Sequence, residues 1–300
     1  MTERLANLTL GVIGLGLMGG SLALALRDKV KAIYGVDRNP ETQRAAESVL
    51  TRVTGDLTAV TDCDLVILAT PARTILTLLP EIAPHLRPGA LVMDLGSVKA
   101  PIVEAMRALP EGVYALGGHP MCGKETSGFA AADTALFTGC TFALCECDPP
   151  RNRPEHRALA ESLVGAVGAR PLWIGAALHD RCVATISHLP YLMSMALMAQ
   201  TLDDREMETL LVLASTGFRD TTRLAGSDLA MMGDVLALNT DAVQAAWNGV
   251  QSQMSTLLAA FQSDRKAGRA HLAAIRDSRR EWGELFDRKT RKPRTEAGES

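Results

Sequence analysis

A histidine next to paired glycines and a proline is the residue of this sequence best suited to acid–base chemistry. His119 lies in the segment GGHPMCG at 117–123, directly after an apolar run. The proline restricts the backbone there, and the end of a buried strand is a poor place for an imidazole that only packs. Imidazole titrates near neutral pH and can take the proton of an alcohol while a hydride leaves the carbon. We predict that His119 is a catalytic base.

A serine follows another apolar run, in the segment DLGSVK at 94–99. A strand that ends there and a helix that begins there would leave Ser97 at the carboxyl edge of a sheet, beside the reacting groups. Serine is also a common N-cap residue of helices. Both roles can coexist, and we predict Ser97 as a second catalytic residue.

Two histidines of the C-terminal half are candidates for the wall of the same pocket. His179 and His188 lie nine residues apart, which on an unbroken helix places them on opposite faces. The two could then not both line one pocket. We favour His188, from the segment SHLP at 187–190, as a substrate-binding residue.

The segment GFRDTTR at 217–223 is a candidate site for a substrate carboxylate. On a helix, Asp220 and Arg223 share one face and can pair, and Arg223 offers a planar fork of donors to a carboxylate. A surface ion pair between the two is the alternative. We predict both as substrate-binding residues.

The apolar run at 8–13 leads into a glycine-rich loop, GLGLMGG at 14–20, which a helix-forming stretch follows. G-x-G-x-x-G in this setting is typical of dinucleotide sites. Gly14 would permit the tight turn, Gly16 would let the backbone approach a pyrophosphate, and Gly19 would let the helix pack against the strand. The N-terminus of that helix would face the phosphates.

Residues after the next strands indicate which dinucleotide is bound. Asp37 follows Gly19 by 18 residues, where a carboxylate can accept hydrogen bonds from the adenosine ribose. This favours NAD over NADP, because a 2′-phosphate would be repelled, although Arg38 could turn outward and bind one. Thr70 ends another apolar run and should lie on the nicotinamide side.

These residues need a sheet to position them, and the first 175 residues supply its pattern. Short apolar runs alternate with helix-like stretches, which is typical of a parallel sheet covered by helices. We expect an α/β Rossmann-type, doubly wound sheet in a dinucleotide-binding domain at 1–175. The predicted strands are Leu8–Ile13, Ala32–Val36, Leu65–Ala69, Ala90–Asp94, Val113–Leu116, Thr141–Cys145 and Leu172–Ile174.

The remainder of the sequence has helical periodicity and almost no strand-like alternation. We expect an all-α substrate and dimerisation domain at 176–287 and a frayed basic tail at 288–300. Pro190 should kink a helix at 179–201 by clashing with the carbonyl of Ile186.

Composition limits the classes of partner and compartment. The chain has 300 residues, 47% of them hydrophobic, and a net charge of −3, so it has no positive field to gather nucleic acid or anionic lipid. We see no N-terminal targeting segment and no apolar run of about 20 residues that could cross a bilayer. Six scattered cysteines suit reduced thiols rather than a metal site. We expect a cytoplasmic protein with a small-molecule substrate, no metal, and no nucleic-acid or membrane partner.

Together these motifs resemble the prephenate/arogenate dehydrogenases, the oxidative decarboxylases of tyrosine biosynthesis. GLGLMGGSLA, DLGSVKA, GGHPMCG, SHLP and GFRDTTR occur in that family's order over about residues 8–285. The glycine loop alone would equally suit β-hydroxyacid dehydrogenases, and the other segments separate the two families.

The resemblance implies a nicotinamide-dependent homodimer, joined through its helical domain, with its active site between the domains. It implies that His119 accepts the proton of the ring hydroxyl, that Ser97 orients this group and that His188 is a second pocket histidine. It implies that Arg223 holds a substrate carboxylate, with Asp220 nearby. The expected reaction is the NAD-dependent oxidative decarboxylation of prephenate, and arogenate or dual cyclohexadienyl specificity is the alternative.

Some features leave alternatives open. The chain carries Met231-Met232 where some family members have an aromatic residue, so the shape of the pocket for the substrate's side chain is undetermined. A β-hydroxyacid or imine reductase should place a catalytic lysine on a helix at the cleft, and we find none in such a context. A nicotinamide-binding sensor should have lost His119 and Arg223. The length predicts a monofunctional chain without a mutase segment or regulatory module.

Overall fold

The computed structural model describes residues 3–202 and 205–290, which form two compact units divided after Val243. The first unit contains an eight-stranded sheet of order β3-β2-β1-β4-β5-β6-β7-β8. Its strands are β1 (Thr9–Ile13), β2 (Ala32–Val36), β3 (Arg52–Thr54), β4 (Leu65–Leu68), β5 (Leu91–Asp94), β6 (Tyr114–Pro120), β7 (Thr141–Glu146) and β8 (Arg170–Trp173).

All neighbouring strands are parallel except β6 and β7. Every residue of β1, β4 and β5 is buried, because helices cover both faces of the sheet, and this explains their continuous apolar sequences. The predicted fold class, a Rossmann-type sheet followed by helices, is confirmed.

The first helix, α1, is a single short turn, and longer helices flank and follow the sheet. The helices are α1 (Glu3–Ala6), α2 (Leu17–Leu26), α3 (Pro40–Glu47), α4 (Ala72–Ile82), α5 (Ala100–Met106), α6 (Pro154–Ala166), α7 (Ala176–Val183), α8 (Leu189–Leu202), α9 (Met207–Leu213), α10 (Thr216–Thr222), α11 (Leu229–Leu238), α12 (Thr240–Ser263) and α13 (Arg265–Thr290).

Two strands differ from the sequence prediction. Strand β3 was not predicted, because three residues at a sheet edge are too few for an apolar alternation to be detected. Strand β6 continues four residues beyond the predicted end at Leu116, because β7 pairs with it antiparallel. His119 is therefore the penultimate residue of a strand and not a loop residue, with Ala143 opposite it.

The segment Ala176–Leu202 is one continuous helical stretch with a π-helical turn at Ala184–His188. The turn lies just before Pro190, where the sequence predicts an irregularity. An 18-residue window of this stretch has a mean hydropathy of 1.4, enough by length and composition to cross a membrane. The sequence analysis counted only uninterrupted apolar residues, and in this stretch polar residues interrupt the apolar ones. The buried His179, Asp180 and His188 show that polar groups of this stretch are held inside the first unit.

The change from sheet to helices follows β8, close to the predicted domain boundary at 175, whereas the compact units divide after Val243. The domain ranges 1–175 and 176–287 remain a prediction. In the second unit, α13 reaches Thr290, so residues 288–290 of the predicted tail are helical. The rest of that tail, 291–300, lies outside the described residues.

Candidate active site

A cavity of about 640 Å³ opens at the carboxyl ends of β1, β4, β5 and β6. The loops after β1, β4 and β5 supply Gly16, Thr70 and Ser97 to its wall, and β6 supplies His119. The opposite wall comes from the segment 123–128 and from helical residues that include Arg223 and Met231. Parallel strands bring these distant segments to one edge, which is where ligands bind in such sheets.

The glycine loop has the geometry of a phosphate cradle. Gly14 has φ 91°, which only glycine adopts without strain, and a Cβ on Gly19 would lie 1.9 Å from the carbonyl oxygen of Gly14. Apart from its chain neighbours, no atom of the described residues lies within 4 Å of a Cβ built on Gly16, so packing does not explain that glycine, whereas approach of a ligand to the backbone does. Helix α2 begins at Leu17 without a side-chain cap, and its first amides are available to an anion.

Two further groups fit a dinucleotide at this edge. The hydroxyl oxygen of Thr70 is buried and bonds no group among the described residues, although Thr70 lines the cavity. The carboxylate of Asp37 accepts hydrogen bonds from the amides of Leu15 (2.8 Å) and Asn39 (2.9 Å), so it is fixed beside the glycine loop. Arg38 points outward with 78% of its side chain exposed. The residues present therefore fit a dinucleotide.

His119 begins a hydrogen-bonded chain that runs into the core. Its Nδ1 lies 2.9 Å from Nε2 of His179, and Nδ1 of His179 lies 2.7 Å from Oδ1 of Asp180. Asp180 also accepts the amides of Lys99 and Ala100, both at 2.7 Å. Burial alone would raise the pKa of Asp180, but these hydrogen bonds outweigh burial and hold its pKa below the usual range.

Hydrogen bonds keep the pKa of Asp180 low, so its carboxylate sets the direction of the bond with His179. A carboxylate only accepts, and Nδ1 of His179 therefore donates to it. In the tautomer whose Nε2 accepts, Nδ1 of His119 is the donor, and Nε2 of His119 keeps a free lone pair. Burial, followed by the charge of Lys99 and the neighbouring His179 and His188, lowers the pKa of His119 well below its ordinary value. A neutral imidazole with a free Nε2 is a competent base.

A buried ion pair lies beneath the strand ends. Lys99 and Asp94 are fully buried and contact each other through Nζ and Oδ2, and Nζ also donates to the carbonyl of Gly118 at 2.6 Å. A Cβ on Gly118 would lie 2.5 Å from the carbonyl oxygen of Asp94, so the glycine before His119 is required for close approach of β6 to β5. This pair fixes the backbone next to the histidine.

Ser97 lines the cavity but does not cap the following helix. Helix α5 begins at Ala100, and its first amides are capped by Asp180, 80 residues further along the chain. The alternative of an N-cap for Ser97 is therefore wrong, because a carboxylate from α7 occupies that position.

His188 is buried behind the cavity wall. Its Nδ1 lies 3.2 Å from Nδ2 of Asn239, which donates to the carbonyl of Asp180 at 2.8 Å. Neither His179 nor His188 is among the residues of the cavity wall, and it is His179 that bonds His119. The argument that the two histidines lie on opposite faces assumed an unbroken α-helix, whereas a π-helical turn lies at Ala184–His188. The assignment of His188 to substrate binding remains a prediction.

Arg223 lines the cavity, and its Nη1 lies 2.9 Å from Oε1 of Glu125. The predicted pair with Asp220 is wrong, because Asp220 bonds Arg219 at 3.0 Å and is not among the residues of the cavity wall. Helix α10 ends at Thr222, Arg223 begins a 3-10 turn, and its guanidinium bonds Glu125 instead.

Sequence reasoning missed three residues of this site, which are Lys99, Glu125 and Asp180. It also missed that His179 bonds His119. His179 and Asp180 are adjacent in sequence, and a His-Asp pair at the start of an apolar helix was a usable signal. Nothing in the sequence indicated Glu125 or the burial of Lys99.

The acid sensitivity of the fold gives a test of the buried histidine. Burial lowers the pKa of His188 to about 4 from 6.5, despite the attraction of Asp180. Because the folded-state pKa is the lower one, its stability contribution is complete above pH 6.5 and is lost as the pH falls toward 4. The loss amounts to about 3 kcal/mol. His188→Gln should therefore lose less unfolding free energy across this window, measured by urea unfolding at both ends.

The matched control is His85→Gln, since His85 lies in the turn after α4 and outside the cavity wall. This variant should lose as much stability as the parent protein. An equal loss in the His188→Gln variant would show that His188 does not titrate as a buried neutral imidazole.

Comparison with known sequences gives two matches that together span most of the chain. The profile described as prephenate dehydrogenase, nucleotide-binding domain, matches residues 22–171, and the profile described as prephenate dehydrogenase, dimerization domain, matches 175–272. The prephenate dehydrogenases of Lactococcus lactis and Bacillus subtilis are 36% and 33% identical over 77% and 78% of this chain. These matches cover 64% and 65% of the two relatives, so the chain corresponds to less than two thirds of their length.

Solved structures of prephenate and arogenate dehydrogenases are similar to this chain over nearly its whole length. Prephenate dehydrogenase from Aquifex aeolicus, in complex with hydroxyphenyl propionate and NAD+, has a TM-score of 0.84 and 28% identity, covering 94% of this chain and 99% of that one. Synechocystis arogenate dehydrogenase has a TM-score of 0.80 and 30% identity, covering 91% and 99%. The 3-hydroxyisobutyrate dehydrogenase of Mycobacterium tuberculosis, at 18% identity and a TM-score of 0.56 over 86% and 94%, shares only the fold.

Proposed function

This chain belongs to the prephenate dehydrogenase family, and from that premise we propose that it oxidises prephenate with NAD to 4-hydroxyphenylpyruvate and carbon dioxide in tyrosine biosynthesis. The observation that carries the proposal is the position of His119, which is hydrogen-bonded to His179 and through it to Asp180 at the wall of a cavity that adjoins the glycine loop. The A. aeolicus structure, whose ligands are NAD+ and a hydroxyphenyl acid, supports the pairing of cofactor and substrate.

We assign the dinucleotide to the carboxyl edge of β1, β2 and β4. Gly14, Gly16 and Gly19 would admit the pyrophosphate at the start of α2, and Asp37 would accept the ribose hydroxyls. Thr70 would place its unpartnered hydroxyl on the nicotinamide side. NAD supplies the hydride acceptor that this oxidation requires. Asp37 favours NAD over NADP, because a ribose phosphate would meet its negative charge, and Arg38 points outward.

The chain's own residues would then carry the proton chemistry. Nε2 of His119 takes the proton of the ring hydroxyl as the hydride leaves the same carbon, and Ser97 orients that hydroxyl from the loop after β5. The ring carboxylate then departs as carbon dioxide, and the electrons of the broken C–C bond pass through the ring to the former hydroxyl oxygen. That oxygen regains a proton as the ring becomes aromatic. Arg223 holds a substrate carboxylate, in exchange for or beside Glu125. His188 supports this wall from behind through Asn239.

The direct test is turnover by the purified chain. Incubation with NAD and prephenate should generate NADH, which is measured by its absorbance. The other products, 4-hydroxyphenylpyruvate and carbon dioxide, are identified by mass spectrometry. Parallel reactions with arogenate and with NADP measure the two preferences. Failure to reduce either cofactor with either substrate would refute the proposal.

Arogenate is the competing substrate, because the Synechocystis enzyme is an arogenate dehydrogenase and a Zymomonas mobilis relative is a cyclohexadienyl dehydrogenase at 28% identity. A higher kcat/KM with arogenate would assign this chain to that activity instead. Met231 lines the cavity and Met232 is buried, so neither supplies a charged group that would distinguish the keto acid from the amino acid.

Arg223→Ala should raise the KM for prephenate by about 10- to 100-fold with little change in kcat. A charge-assisted hydrogen bond contributes about 1.5–3 kcal/mol, and uniform binding appears in KM. Steady-state kinetics at saturating NAD measure this effect. Arg219→Ala is the matched control, because Arg219 lies on the same helical segment, bonds Asp220 and is absent from the cavity wall. A KM unchanged in the Arg223 variant would show that Arg223 is only a surface ion pair.

We also propose a homodimer in the cytoplasm. Support for the dimer comes from the match of 175–272 to a dimerization domain and from large exposed apolar side chains within α12 and α13. These are Trp247, Met254, Leu258, Phe261, Leu272, Ile275, Trp282, Leu285 and Phe286. Six free cysteines suit a reducing compartment. Sedimentation of the purified chain as a monomer at micromolar concentration would contradict the dimer.

A further inference from the structure

Two cysteines meet at the wall of the cavity, and the proposed reaction requires neither. Cys122 lines the cavity, and Cys140 directly precedes β7. The antiparallel register of β6 and β7 continues one step beyond the last pair, where the amide of Met121 donates to the carbonyl of Thr141 at 2.8 Å. The next position in that register places Cys122 opposite Cys140, and opposed residues of antiparallel strands have the spacing that a disulfide needs.

The two thiols lie opposite each other in this register and differ in acidity. The interaction with Cys122, helped by the charge of Arg170, lowers the pKa of Cys140 despite burial. The same interaction raises the pKa of Cys122. We therefore assign Cys140 as the thiol that ionises first. A half-buried, more acidic thiol next to a second thiol is the arrangement found at oxidation-sensitive sites.

The other cysteines lack this environment. Burial raises the pKa of Cys63 and Cys145 to about 12 and that of Cys147 to about 11, which keeps them protonated and unreactive. Cys182 is exposed on α7. It provides an internal standard for oxidation of an ordinary surface thiol.

We propose that Cys122 and Cys140 are a modification site at which peroxide forms a reversible disulfide that reshapes the cavity wall. The Cys140 thiolate attacks hydrogen peroxide, the O–O bond breaks, and a sulfenic acid and one water form after protonation. The Cys122 sulfur then attacks that sulfur, the S–O bond breaks, and the thiol proton leaves with the hydroxide as a second water. Two thiols and one peroxide give one disulfide and two waters.

The disulfide would act on the site through the segment 123–128, which directly follows Cys122 and lines the cavity. That segment carries Glu125, the partner of Arg223. Forming an S–S bond of about 2 Å between the two cysteines draws Cys122 toward β7. Misplacing an active-site group by about 1 Å can cost about 100-fold in rate, so oxidation should lower turnover by about tenfold or more. This consequence for activity rests on the proposed function, whereas the cross-link itself does not.

The cross-link is tested on the full chain by mass spectrometry. Protein treated with stoichiometric hydrogen peroxide is blocked with N-ethylmaleimide and digested, and it should yield the Cys122 and Cys140 peptides joined with the loss of two hydrogens. Dithiothreitol should restore both thiols. Cys140→Ser, or Cys122→Ser if the first variant does not fold, should abolish the joined peptide, whereas Cys182→Ser should retain it. Recovery of both thiols as maleimide adducts would overturn the proposal.

Turnover of NAD and prephenate is measured on the same samples. Peroxide should lower kcat of the parent protein by about tenfold or more, dithiothreitol should restore it, and Cys140→Ser should resist peroxide. A disulfide that leaves turnover unchanged, or equal inactivation of Cys140→Ser, would also overturn the proposal. If the untreated protein has no turnover, the proposed function fails, and the mass of the cross-linked peptide still decides whether the thiols pair.

Discussion

Replacing His119 with Asn is expected to lower kcat by about 100- to 10,000-fold, the usual contribution of a positioned general base. The amide of asparagine fits the same strand position but cannot take a proton from a ring hydroxyl at neutral pH. NAD binding should be nearly unchanged, because the residues that we propose to bind the dinucleotide, the glycine loop and Asp37, follow other strands of the sheet. Steady-state kinetics measure the first effect, and calorimetric titration with NAD measures the second.

The pH profile of the parent enzyme belongs to the same prediction. His119 must be neutral to act as a base, and its pKa is lowered well below 6.5 by burial and by the charge of Lys99, with His179 and His188 adding to the effect. Activity should therefore persist below pH 6.5 and be lost only as the pH falls through that lowered pKa. His85→Asn is the control for a histidine outside the cavity wall. Equal turnover by His119→Asn would remove His119 from the mechanism.

Replacing His179 with Asn should lower kcat by up to about 100-fold while leaving KM for prephenate close to that of the parent. His179 is hydrogen-bonded both to Nδ1 of His119 and to Asp180. Loss of His179 therefore frees the imidazole of His119 to rotate and to adopt the other tautomer. Asparagine is too short to bridge both partners. Arg223 and the glycine loop are untouched, which is why binding should change little.

A variant that is partly unfolded would also have a lower kcat, so the folding of the His179→Asn protein must be measured together with its kinetics. His156→Asn is a matched control, because His156 is stacked on Tyr114 and lies outside the cavity wall. Thermal unfolding of both variants reports on the fold, and the acid limb of kcat reports on His119. A folded His179→Asn protein with the parent's kcat and pH profile would show that the hydrogen-bonded chain does not position His119.

The structure leaves much of the sequence prediction intact, and the reason is local. The fully buried strands β1, β4 and β5 were readable as apolar runs, because a strand covered on both faces needs no polar alternation. The loop at 14–20 was readable because its glycines follow a strand and precede a helix. Once parallel strands were assigned, their carboxyl ends necessarily shared one edge, so Ser97 and His119 could be placed together without coordinates.

Predictions that assumed regular local geometry did less well than those that rested on apolar runs. The argument that His179 and His188 lie on opposite faces assumed an unbroken α-helix, whereas a π-helical turn lies at Ala184–His188. The pair of Asp220 with Arg223 assumed one helix through both residues, whereas α10 ends at Thr222 and Arg223 bonds Glu125. The predicted end of β6 at Leu116 was wrong for another reason, since its last four residues pair with β7 and are not indicated by their own composition.

The sequence by itself determined the sheet, the glycine loop and the choice of His119 as the candidate base, because each depends on residues that are neighbours along the chain. Tertiary structure alone decided that Asp180 caps α5 from 80 residues away, that Lys99 is buried against Asp94 beneath Gly118, and that Glu125 holds Arg223. For the buried Asp180, Lys99 and Asp94, the physical reason is that a charge buried in protein must find a partner. The sequence contains many carboxylates that could be the partner of a buried charge. Only the packing of α7 and β6 on the sheet selects one of them.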